Sequence, residues 1–228
     1  MRADSNSRTY FIALLVISVV LDWIPVINRP FLWVETFFHE LAHGLMAVLT
    51  GGSIVDIQIA WNGSGLCRTL GGVSFLVAFS GYLGAQLAGA FIYLAGSGRS
   101  KFVSQLFAFS MSVLVLMSAI FLAAGGTTLL IHGVLLLLFL LPLAKLSGGA
   151  LRIVIQFIGA FVITNSITSP IYQLGSLQSD AANLAQLTFI PAFIWILLWL
   201  ATGVFIFITL YRSHRTGNEH GETKLDLG

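Results

Sequence analysis

The stretch from Glu35 to Gly52, ETFFHELAHGLMAVLTGG, decides how this chain is read. His39 and His43 are four apart, so on a helix they share one face, one turn above the other, and both reach a single metal ion. Glu40 sits about 100° around from His39, near enough to act on a metal-bound water without coordinating the metal. Zinc in such a set lowers the pKa of its water toward ~7, and the carboxylate takes the proton. With 5 histidines in 228 residues, the His-Glu-x-x-His spacing is expected by chance only about 0.002 times in a chain of this composition.

The surroundings of the motif are those of a membrane protein. The chain is 57% hydrophobic and 9% charged, against about 25% charged in an ordinary soluble domain. Apolar runs of ~20 residues, the length that crosses a ~30 Å hydrocarbon core, recur along it. A charged residue at mid-bilayer costs ~2.5–3.5 kcal/mol on insertion scales. An acidic residue flanked by two histidines in such a helix therefore points to metal binding rather than to a polar helix contact. The net charge of +2 gives no support to nucleic-acid binding. Cys67 is the one cysteine, so the chain forms no internal disulfide.

Seven apolar segments follow from the pattern, and about seven transmembrane helices are expected. They are Tyr10–Val26, Phe31–Leu49, Val73–Leu94, Phe102–Ala124, Thr127–Leu143, Leu151–Ile167 and Phe189–Tyr211. The first, preceded by Arg2 and Arg8, lacks a small-x-small cleavage site and reads as an uncleaved span. Residues 1–211 are expected to form one multi-pass domain resident in the cell membrane, and 212–228 a polar disordered tail holding His214 and His220. Trp23, Trp33, Trp195 and Trp199 fall near segment ends, where interfacial anchors lie. On the third segment Gly81, Gly84, Ala85 and Gly89 make a small-residue stripe suited to close helix packing.

Two connections are more than turns. Ile54–Trp61 alternates, with Val55, Ile57, Ile59 and Trp61 on one face and Asp56 and Gln58 on the other. Asn62-Gly63 then gives a tight-turn signal, which outweighs its fit to a glycosylation sequon, and Leu66–Leu70 completes a β-hairpin. The second connection, Thr168–Thr188, is polar and carries a helix-like piece from Asp180 to Leu187.

A catalytic zinc usually has three protein ligands. Asp180 and His132 are the candidates for the third. Four spans separate the hairpin from the Asp180 connection, an even number, so both lie on one side of the membrane; His132 faces that side too. Asp180 also suits helix capping and His132 suits plain packing, and of the two as ligands Asp180 is preferred. Glu35, one turn before His39, reads either as a partner for its imidazole or as an interfacial residue. His43 lies eight residues before Gly51, hence ~12 Å below the surface on the hairpin side.

At these residues the chain resembles the site-2 protease family of zinc intramembrane metalloproteases, in its short branch without a PDZ domain. The resemblance is densest over Glu35–Gly52 and continues weakly at Ser179–Trp195, SDAANLAQLTFIPAFIW. It implies Zn2+ held by His39, His43 and an aspartate that falls on Asp180, with Glu40 activating water. The family's usual Asp-Gly pair is replaced here by Asp180-Ala181. The implied activity is hydrolysis of a peptide bond of a membrane-protein or peptide substrate within or beside the lipid bilayer; the alternative is a non-catalytic membrane protein, a pseudoprotease or transporter. A hairpin edge next to the site would hold the extended substrate by strand addition. The positive-inside rule places Arg29, Arg99, Lys101, Lys145, Arg152 and the tail in the cytoplasm with the N-terminus outside, whereas the resemblance implies a cytoplasmic hairpin.

Overall fold

The computed structural model describes residues 2–98 and 100–216. Among them are eight helices and one two-stranded sheet. In chain order these are α1 (Arg2–Asp22), α2 (Arg29–Leu49), β1 (Ser53–Ile59), β2 (Gly65–Leu70), α3 (Ser74–Ser97), α4 (Lys101–Phe121), α5 (Gly126–Lys145), α6 (Gly148–Tyr172), α7 (Asp180–Thr188) and α8 (Ala192–Thr216). Helix α8 continues past the expected start of the tail at 212; the rest of that tail, 217–228, lies outside the described residues.

Among the described residues five helices, α3, α4, α5, α6 and α8, are long and apolar enough to cross a membrane. The two others expected to span, α1 and α2, are not among these five, so the count of seven is not confirmed. Helix α2 carries Arg29, Glu35 and Glu40, three charges in one helix. Nor do these two form an up-and-down pair. Tyr10 bonds Gln156 and Asp22 bonds Asn165, so α1 runs parallel to α6. Phe31 packs on Phe157 and Phe161, while His39 and His43 share a cavity with Ser169 and Gln173, so α2 runs parallel to α6 as well. The strict alternation implied by seven spans is thus broken at the first connection. Arg8 accordingly stacks over Tyr211, bringing the start of α1 beside the end of α8.

The small-residue stripe sets the centre of the bundle. A Cβ on Gly89 would lie 2.8 Å from Ile163, and one on Gly159 only 2.3 Å from the Tyr93 backbone nitrogen. Helices α3 and α6 therefore meet almost backbone to backbone, as small residues allow in membranes. Fully buried Gln86 ties in α8, donating to the Trp199 carbonyl at 2.9 Å and accepting from Thr202 at 2.9 Å. Such a satisfied polar cluster fixes the relative rotation of the helices that share it.

The hairpin forms where it is expected, but its face is corrected by a bulge. Register shifts between Ile54 and Asp56, so Val55 turns outward at 45% exposure and Asp56 turns in, paired with Arg68. The guanidinium of Arg68 holds the Asp56 carboxyl below the usual carboxylate range. Ile57 and Ile59 are buried as the alternation requires; Trp61 lies beyond β1, largely exposed, with its ring 5.0 Å from that of Trp33. The turn is made by Asn62, whose Oδ1 accepts from the Ser64 amide at 3.0 Å, and by Gly63 at φ +91°. This is the Asx geometry that asparagine favours.

The hairpin lies back along α2 rather than projecting from it. Gly63 C=O accepts from Thr36 at 2.7 Å, and Asn62 C=O from Arg29 at 2.6 Å. Its outer edge on β1 is closed by the α4–α5 connection: Ile57 N–H donates to Leu122 C=O at 2.7 Å, and Ile57 C=O accepts from Ala124 at 3.0 Å. That leaves β2 as the open edge, facing the helix that carries the motif.

Candidate metal centre

Helix α2 presents His39, Glu40 and His43, all buried, toward the start of α3 and the hairpin. His43 Nδ1 lies 2.7 Å from the Val77 carbonyl. A carbonyl only accepts, so Nδ1 carries the proton and Nε2 keeps its lone pair free. That Nε2 is 3.0 Å from His39 Nε2. The His39 ring is held edge-on against Tyr82, centroids 4.4 Å apart.

The third donor comes from far along the chain. Asp180 Oδ2 lies 3.0 Å from His39 Nε2 and 3.3 Å from His43 Nε2. Burial opposes charge on this carboxyl, but the two imidazoles outweigh it and hold Asp180 well below the usual carboxylate range. Helix α7 delivers it, anchored by Ala181 and Leu184 among Ala78, Tyr82, Trp195 and Trp199. The cap of that helix is not Asp180. Ser179 takes the role, its hydroxyl accepting from Ala182 N–H at 3.2 Å, which leaves the neighbouring carboxylate free to point at the histidines.

These three donors fit a first-row divalent metal. With bonds of ~2.0–2.1 Å, tetrahedral ligand atoms stand roughly 3.3 Å apart, close to the observed separations. Two imidazole nitrogens facing each other and one carboxylate oxygen is also a chemistry in which a cation is the natural centre. His132 does not join them. Fully buried, it pairs Nδ1 with the Thr128 carbonyl at 2.8 Å and Nε2 with Ser118 Oγ at 3.1 Å. With both ring nitrogens engaged, it is a packing residue against Phe37.

Glu40 lies beside the donors but is not one of the three. Its carboxyl packs on the first residue of β2: a Cβ on Gly65 would fall 2.3 Å from Glu40 Oε1. The Cys67 backbone N–H also acts on that carboxylate. Across the site, a Cβ on Gly81 would fall 2.5 Å from His43 Nε2 and 2.6 Å from His39 Cε1. Gly81 and Gly65 are thus as much part of the site as the motif itself. The sequence contained a signal for Gly81, in the small-residue stripe, but none for Gly65, whose neighbour depends on how the hairpin folds back.

All of this surrounds a cavity of about 850 Å³ between α2, β2, the start of α3, the end of α6 and α7. Glu35 lines it too; no hydrogen bond joins it to His39 among those the structure shows, and its Oε1 is buried without a partner among the described residues.

A family model described as Peptidase M50B-like matches residues 11–210. No curated protein and no solved structure matches the chain.

Proposed function

We propose, because this chain belongs to the Peptidase M50B-like family, a site-2 protease-like family of membrane metallopeptidases, that it hydrolyses peptide bonds within or beside the bilayer using zinc. The observation that carries the reading is the convergence of His39 Nε2, His43 Nε2 and Asp180 Oδ2, with mutual distances of 3.0–3.3 Å, next to buried Glu40, which is not one of the three. Bound there, zinc supplies a Lewis acid that polarises the peptide carbonyl and acidifies the attacking water.

The chain's own residues supply the rest. Glu40 takes the proton from water and passes it to the departing amine, as a carboxylate within reach of both does. Val77 fixes the tautomer of His43, and Tyr82 and Gly81 fix where the two rings stand.

A peptide must be extended before its carbonyl is open to attack, since a helix keeps its backbone bonded to itself. The open edge of β2 suits this task. Ile57 directs both its N–H and C=O to the α4–α5 connection, so its partner Cys67 directs its own toward the cavity, where its N–H meets Glu40, and by alternation Gly65 and Thr69 direct theirs the same way. These three line the cavity. In this reading the substrate adds a strand on β2 and lies across the donors.

The experiment is Glu40→Gln. It keeps shape and hydrogen bonding but removes the base, so proteolysis of a membrane or peptide substrate should fall by about 10²–10⁴ while bound zinc is retained. Full activity in this variant would end the peptidase reading.

A further inference from the structure

The end of the bundle opposite the metal donors carries a second cavity, of about 550 Å³, walled by the start of α1, the end of α3, the start of α6 and the end of α8. Arg152 lines it with Tyr10, Ser97 and Gln156, and no acidic residue does among those described. Arg152 and Gln156 stand four apart on α6, one turn above the other, and both close on Gly96. Arg152 Nε donates to the Gly96 carbonyl at 3.2 Å, and a Cβ on Gly96 would lie 2.7 Å from Gln156 Cγ. Tyr10 completes the group. Its hydroxyl donates to Gln156 Oε1 at 3.0 Å, and the Arg152 charge acts on that hydroxyl.

Part of this is structural. Arg152 covers the last carbonyls of α3, its Nη2 reaching Ser97 C=O at 3.4 Å. Those two bonds use two of the five N–H groups of a guanidinium, and no carboxylate pairs with Arg152 among the described residues. Gln156 is half spent in the same way. Its Oε1 is taken by Tyr10, while its amide nitrogen makes no hydrogen bond among the described residues and is not one of the sealed atoms, so the cavity reaches it.

Charge is divided between the two ends of the molecule. Arg8, Lys101, Lys145, Arg152 and Arg212 gather here, with the Lys101 stem packed on Gly148 at the start of α6 and Arg8 beside the end of α8. The acidic side chains described, Asp22, Glu35, Glu40, Asp56 and Asp180, lie toward the other end, in or near the metal cavity and in the hairpin. The second cavity also opens onto lipid: Leu94 and Ile153 line it and are 49% and 52% exposed, in two of the helices long and apolar enough to span. An occupant with an anionic head and an apolar body fits both features.

We propose that Arg152, Gln156 and Tyr10 form a pocket for the phosphate of an anionic phospholipid, whose acyl chains lie along Leu94 and Ile153. A guanidinium meets phosphate through parallel N–H groups, the Gln156 amide adds a further donor, and the lysines and arginines around the mouth attract anionic headgroups. The pocket stands apart from the metal donors and requires no peptidase activity.

The test is native mass spectrometry of the full-length protein in detergent with added dioleoylphosphatidylglycerol, dioleoylphosphatidylcholine or inorganic phosphate. The anionic lipid should bind about five-fold or more tighter than the zwitterionic one. Gln156→Glu keeps the side-chain size and the bond from Tyr10 but sets a carboxylate against Arg152, so the preference should fall toward unity, as it should in Arg152→Gln. Lys145→Gln removes a charge at the same end but outside the cavity, and should leave the preference intact. Equal binding of the two lipids by the wild type, or a preference that survives Gln156→Glu, overturns the proposal. An equal loss in Lys145→Gln overturns it too, since the attraction would then belong to the whole charged end. Displacement of the anionic lipid by inorganic phosphate would assign the pocket to a soluble phosphate and likewise overturn it.

Discussion

Asp180 Oδ2 lies 3.0 Å from His39 Nε2, although a hairpin and four helices separate the two residues in the chain. The contact exists because Ser179 caps α7 and leaves the adjacent carboxylate unengaged by its own helix. Capping and coordination, which compete for one residue when only the sequence is read, are divided between two neighbours in the fold.

That division makes Ser179→Ala informative. Losing an N-cap costs about 1 kcal/mol, and here the loss would loosen the helix that carries Asp180. Zinc affinity should drop while overall folding, followed by thermal unfolding in detergent, changes little. An affinity equal to wild type would mean that Asp180 is held by something other than the capped helix.

Gly81→Ala tests the room allotted to the histidine pair. Alanine is a better helix former than glycine by up to ~1 kcal/mol, so α3 itself should not suffer. The added methyl would nevertheless fall 2.5 Å from His43 Nε2, forcing the ring to move. Overpacking of this kind costs about 1–3 kcal/mol, and a matching loss of zinc affinity, about 5–150-fold, is expected from equilibrium dialysis.

Gly65→Ala separates the base from the metal. Its methyl would strike Glu40 Oε1 at 2.3 Å and none of the three donors among its nearest contacts. Turnover should fall by roughly 10² with zinc content preserved. Loss of both together would show that β2 supports the donors as well.

Thr69→Pro and Arg68→Pro test the open edge. Thr69 directs its N–H to the cavity side, so proline there should weaken substrate binding, seen as raised KM, without breaking the sheet. Arg68 pairs with Asp56 inside the ladder, so proline at that position should cost stability instead. Equal KM in Thr69→Pro and wild type would remove β2 as the substrate strand.

Much of the site was legible in the sequence because local periodicity encodes it. His39, Glu40 and His43 need only a helix to fall into place, and the even count of helices between hairpin and α7 put Asp180 on their side of the bundle. His132 met the same topological condition, and only the fold shows both its nitrogens bonded elsewhere. Periodicity could not foresee the bulge at Val55, since one extra residue reverses the faces of a strand without altering its composition. Nor could hydropathy reveal that α1 and α2 run the same way, because direction is fixed by contacts such as Asp22 with Asn165 and Phe31 with Phe157.

The most direct test of a zinc site made by His39, His43 and Asp180 is the metal content of purified protein, compared across His39→Ala, His132→Ala and Asp180→Ala. About one zinc per chain is expected in the wild type and in His132→Ala, and close to none in the other two. A metal-free wild type, or full occupancy in Asp180→Ala, would contradict it.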